Sequence, residues 1–135
     1  MKIFKLLTAV LVILTWFACS DEMPYKIEGY WQLKQVSYPN GRVDLVDTVF
    51  YGFQKQTVFS FTTLENADSA TISYGYLDFQ GENKIRIQMD MNHSEPDFLT
   101  LSGWRSTDEI FSIDIRRNKM EMIDSQERVF SLNRF

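Results

Sequence analysis

The sequence predicts an all-β protein, an eight-stranded antiparallel up-and-down barrel to which one short helix is a candidate addition. Three observations carry this reading. From Ile27 onward apolar and polar residues alternate with period two in short segments. Clusters of Gly, Asn, Asp and Ser separate the segments, as tight turns require. No sustained 3.6-residue period appears that would bury one face of a long helix. A chain of 135 residues with 44% hydrophobic and 15% aromatic content is enough for one such domain and its core.

The cleanest alternation is Lys84-Ile85-Arg86-Ile87-Gln88-Met89-Asp90, where Ile85, Ile87 and Met89 share one face and the polar residues share the other. Phe111 to Arg116 repeats it, and Lys119-Met120-Glu121-Met122 does so again after a tight Arg117-Asn118 turn. Strands are expected at about 29–38, 48–53, 57–63, 70–79, 84–90, 109–116, 119–124 and 128–134. Pro39-Asn40-Gly41 and Gln80-Gly81-Glu82-Asn83 supply turn chemistry between them. Short links favour a meander, and closing eight such strands removes the unpaired edges; a flattened sandwich is the structural alternative. Asn92 to Trp104 breaks the alternation. There Ser94-Glu95-Pro96-Asp97 has the form of a capping box with proline in the first turn, so the stretch reads either as a short helix or as an irregular strand over Phe98 to Leu101.

The N-terminus has different chemistry. Lys2 and Lys5 precede an apolar run from Leu6 to Phe17 and the small residue Ala18, the three-part pattern of an export signal over residues 1–18. The run is too short for a spanning helix, which needs about 20 residues. Cys19 is the only cysteine and stands at this boundary, so it has no partner for an internal disulfide. Its placement after Ala18 resembles the lipobox of bacterial lipoproteins, although Trp16 and Phe17 stand where aliphatic and small residues are usual. The resemblance implies acylation of Cys19. Residues 19–26 then form an acidic tether and 27–135 the barrel domain. Cys-Ser-Asp-Glu further resembles the acidic export signal of Bacteroidota-type surface lipoproteins, which implies the outer membrane and its outer face. Loss of Lys2 and Lys5 lowers the formal charge from −4 to −6, which argues against nucleic acid as a partner and leaves the lipid as the attachment to the membrane.

Gly29-Tyr30-Trp31 opens the first strand, and Arg134 in the last shares a face with Phe130 and Leu132. With these residues the chain resembles the lipocalin superfamily, and more closely its small lipoproteins of Bacteroidota-type bacteria. The resemblance implies that Arg134 packs over the Trp31 ring and closes the barrel base. The family's Thr-Asp-Tyr motif is matched only by Thr107-Asp108, with Glu109 in place of the aromatic residue.

Dinucleotide, phosphate-loop and paired-cysteine motifs are absent, so no cofactor or metal is expected and a binding protein is favoured over an enzyme. His93 is the single histidine and reads as a solvated loop residue. Asp90, Asn92 and Ser94 imitate the start of a calcium loop, but its glycine and closing glutamate are out of place. Asp108-Glu109 reads as a solvated turn. The aromatic residues Phe50, Tyr51, Phe53, Phe59, Phe61, Tyr74, Tyr76 and Phe79 mostly fill the barrel, while Tyr74 and Tyr76, with Phe59 and Phe61, are candidates to line a cavity for a small apolar or amphipathic ligand. The alternative is a filled barrel that docks a partner protein of unknown identity. The volume of the interior separates the two.

Overall fold

The computed structural model describes residues 23–135; the expected signal peptide over 1–18, Cys19 and Ser20-Asp21-Glu22 of the expected tether lie outside the described residues. A helical turn, α1 (Met23–Lys26), leads into β1 (Gly29–Ser37), β2 (Val43–Leu45), β3 (Val49–Gln54), β4 (Val58–Asn66), β5 (Ser69–Phe79) and β6 (Lys84–Met89). A 3-10 turn (Met91–His93) and α2 (Phe98–Ser102) follow, and then β7 (Asp108–Arg116), β8 (Lys119–Ile123) and β9 (Val129–Arg134). All strand pairs are antiparallel, and β1 also pairs with β9, which closes the sheet. β2 and β3 lie along the same edge of β1, at Gln35–Ser37 and Gly29–Gln32 respectively, so they are two halves of one interrupted strand and the barrel has eight staves. Between them the Val46 amide donates to the Lys34 carbonyl at 2.9 Å and keeps the ladder satisfied. β2 was not among the expected strands.

Alternation does what the sequence implies on most strands. Ile85, Ile87 and Met89 of β6, Phe111 and Ile113 of β7, and Met120 and Met122 of β8 all point into a single core. Burying such side chains contributes about 1.5–3 kcal/mol each relative to exposure.

The base is closed by β1, β9 and α1. The Arg134 guanidinium stands 4.2 Å from the centre of the Trp31 ring, a cation–π contact of about 0.5–2 kcal/mol. It also donates to the Lys26 carbonyl at 2.6 Å and the Glu28 carbonyl at 3.0 Å, while Trp31 Nε1 donates to the Ile27 carbonyl at 2.8 Å. Gly29 has φ +116°, and a Cβ there would lie 3.4 Å from Arg134 Nη1. That is the local reason for a glycine two residues before the tryptophan.

Residues 90–107 cross the opposite end. The expected capping box does not form: α2 begins at Phe98, and its N-cap residue, Asp97, makes no side-chain cap bond. Ser94 Oγ instead lies 2.7 and 3.1 Å from the carbonyls of Asp90 and Tyr74, which share its one proton, and accepts the Tyr74 amide at 3.2 Å, which ties the segment to β5. The helix ends on Gly103 in the left-handed region, whose amide bonds to the Leu99 carbonyl at 3.0 Å.

Candidate functional site

The interior at this crossed end is occupied by the crossing segment itself. Phe98 and Trp104 enter the barrel and are almost wholly buried. The Trp104 ring lies 5.1–6.0 Å, centre to centre, from Tyr51, Phe59, Phe98 and Phe111, and Phe61 meets Phe98 edge-on at 5.2 Å. Rings at these spacings are in contact. Trp104 Nε1 donates to the Tyr51 hydroxyl at 3.0 Å, which satisfies both buried groups, and burial pushes the Tyr51 phenol pKa upward. Phe59 and Phe61 therefore pack against the protein's own plug, at the place where a ligand was expected. The sequence reading missed Trp104 because it lies in a stretch without periodicity.

Charged groups accompany the plug. Asp108 and Glu109 face apart, but they do not form a solvated turn. Asp108 pairs outside with Arg86, Nε to Oδ1 at 2.8 Å, while Glu109 points inward and is buried. Desolvation, reinforced by the nearby Asp124 carboxylate, raises the Glu109 pKa. A carboxyl raised in the folded state stabilises the fold at low pH, and that stability is lost as pH rises from the unfolded value, about 4.3, through the folded one. Glu109→Gln is expected to raise the melting temperature at neutral pH and to leave it unchanged below about pH 4. Thermal unfolding of both proteins across that range measures the difference.

Tyr74 and Tyr76 are not with Phe59 and Phe61. On β5 the small residues Ser73 and Gly75 face inward with Leu77, and the two tyrosines face outward. The inward side has no room for rings: a Cβ on Gly75 would come within 2.7 Å of the Gln88 carbonyl oxygen and 2.9 Å of Met89 Sδ. Ser73 Oγ accepts the Glu95 amide at 3.0 Å and so helps to seat the plug.

On the outer wall the tyrosines, with Val58, Gly75, Asp90 and His93, line a depression of about 270 Å³. The strand register sets Tyr76 directly opposite Val58, and the turn after β6 brings Asp90 and His93 to the rim. Asp90 Oδ2 accepts from the Tyr76 hydroxyl at 3.2 Å and lies 2.8 Å from His93 Nδ1, while Oδ1 accepts the Asn92 amide at 3.0 Å. The His93 hydrogen bond, followed by the Asn92 amide and the Tyr76 hydroxyl, holds the Asp90 pKa below its ordinary value. The same Asp90 bond raises that of Tyr76. His93 is exposed, as expected of a loop histidine, yet it belongs to this hydrogen-bonded rim. Of the would-be calcium ligands, Asp90 accepts from the Asn92 amide and Ser94 Oγ is bonded to main-chain carbonyls, and no group of three or more His, Cys, Asp or Glu side chains that could hold a metal occurs among the described residues.

A closed eight-stranded antiparallel barrel whose base is a Trp–Arg pair is the architecture of a lipocalin-like fold. The family model described as a lipocalin-like domain matches residues 12–135, and the chain belongs to that family. Among solved structures it is similar to a lipocalin-like protein from Bacteroides uniformis, at 26% identity and a TM-score of 0.71, covering 82% of this chain and 99% of that one. It also shares its fold with a protein from Bacteroides eggerthii, at 24% identity and a TM-score of 0.69, covering 81% and 99%. No curated protein matches the chain.

Proposed function

We propose that the protein is an exported, outer-membrane lipoprotein that binds its ligand without transforming it, and that it does so on the outer wall of the barrel. The observation that carries this reading is the occupied interior at the crossed end, where Phe98 and Trp104 sit in ring contact with Tyr51, Phe59, Phe61 and Phe111. A binding role for a lipocalin-like barrel then falls to its surface, and the outer-wall depression combines exposed aromatic faces with a polar rim. Lipidation at Cys19 would attach the chain next to α1, at the base, leaving the wall and the crossed end free to meet a ligand.

Two measurements test this. The mass of the chain extracted from its own envelope should exceed the polypeptide mass by acyl groups, and Cys19→Ala should abolish the increment. The full-length isotope-labelled protein, titrated with a small-molecule extract of the same envelope, should show resonance shifts confined to Val58, Tyr74, Tyr76 and residues 90–94. Shifts centred on Ile87, Phe111 and Trp104 would instead return the ligand to the interior and overturn the outer-wall reading.

A further inference from the structure

The outer-wall depression offers a ligand three things. Its floor is apolar, formed by Val58 and the Gly75 backbone. Beside it stand two tyrosine rings on one face of β5, both well exposed. Its rim holds the Asp90 carboxylate, whose bonded neighbours are Tyr76, Asn92 and His93, with no lysine or arginine in the lining. The chain as a whole is acidic, with formal charge −4.

These features select by charge and by hydration. An anion would meet the Asp90 charge and the negative faces of the rings. A neutral sugar could bond to the rim but would gain nothing from the Asp90 charge. A compact, strongly hydrated metal ion would have to shed water for an apolar floor and a single carboxylate, which supplies too few oxygen ligands. A weakly hydrated organic cation needs none of this. It gains from the ring faces, by about 0.5–2 kcal/mol, and from the carboxylate through space, while its carbon substituents cover Val58.

We propose that this depression is a site for a small organic cation, an alkylated ammonium or a guanidinium group, held against Tyr74 and Tyr76 and neutralised by Asp90. The inference rests on the outer-wall reading above and names its ligand chemistry. The cation arrives either as a free metabolite or as a lysine or arginine side chain, and the chemistry of the site is the same.

The test uses the full chain, isotope-labelled, in maltoside micelles. Choline is the probe, and 3,3-dimethylbutanol, its uncharged isostere, is the control. Choline should shift the resonances of Tyr74, Tyr76 and His93 in a saturable manner, and the isostere should bind at least about tenfold more weakly, the worth of one cation–π and charge contact. Asp90→Asn keeps an acceptor for the Asn92 amide and should lose about the same factor, whereas Tyr76→Phe keeps the ring and should retain binding. An amidated Arg-Gly-Gly peptide forms the second arm. Tighter binding of the peptide than of choline assigns the cation to a protein side chain, and the reverse assigns it to a free ligand. Equal binding of choline and its isostere, unchanged binding by Asp90→Asn in a protein with the native amide spectrum, or no binding of either cation would each overturn the proposal. The envelope-extract titration judges the outer-wall reading separately, since shifts there at Tyr74 and Tyr76 would survive a failure of the cation probes.

Discussion

Phe98→Ala is expected to destabilise the protein by about 3–5 kcal/mol, the range for removing a fully buried phenylalanine. Phe98 has no exposed surface, and its ring lies 5.2 Å from both Phe61 and Trp104. Phe61 is held in the β4 ladder and Trp104 by its bond to Tyr51, so neither can follow the missing ring inward, and the void should persist. For a domain of this size each kcal/mol corresponds to a fall in melting temperature of about 4 °C. The void is lined by rings and would be apolar. An apolar cavity stays dry and takes small hydrocarbons, so benzene should recover part of the lost melting temperature in Phe98→Ala and none in the parent. Denaturant midpoints and thermal scans with and without benzene check both halves. A loss below about 1 kcal/mol would mean that the segment lies loosely in the mouth, and the interior would again be a candidate binding cavity.

Much of this fold was legible in the sequence because alternation reports burial directly. Ile85, Ile87 and Met89 form a strand with one buried face, and the register of their neighbours follows. Trp31 and Arg134 were readable as a pair through the family resemblance, and the structure sets them opposite each other on the closing strands β1 and β9. β2 escaped notice for a physical reason. Val43 and Leu45 are exposed, so the strand exists through backbone pairing with β1 and leaves no mark of burial in its side chains.

The site was read less well. Tyr74 and Tyr76 were expected to line a cavity, which would leave the alternating Ser73 and Gly75 facing outward. The order is inverted because Met89 fills the space within β5 and the plug presses on Ser73, facts of tertiary packing that no local pattern contains. The capping box failed similarly: Ser94 has better partners in the Asp90 and Tyr74 carbonyls than in the first turn of α2. His93 and Asp90 were singled out separately as unpromising; their 2.8 Å contact depends on the 3-10 turn between them.

Asp124→Ala is expected to cost about 3 kcal/mol, because it leaves a largely shielded cation without its partner. Asp124 Oδ2 accepts from Arg128 Nε at 2.7 Å, and both side chains are largely shielded from water. Oδ1 accepts the amides of Gln126 and Arg128, at 3.0 and 2.9 Å, so the same carboxylate also shapes the turn between β8 and β9. Arg128 then reaches across the mouth, and its Nη1 donates to the Gly103 carbonyl at 2.7 Å, at the C-terminal end of α2. The pair therefore acts on the plug as a latch as well as on the turn. Two readouts separate these roles. Loss of the turn alone would lower the denaturant midpoint and leave the order of amide exchange within the fold unchanged. Loss of the latch would accelerate exchange at residues 98–104 beyond the global effect, since that segment would open without unfolding the barrel. Arg128→Met, which keeps an apolar stem over Phe130 and leaves the two turn amides bonded to Asp124, is expected to show the second behaviour with the smaller global loss.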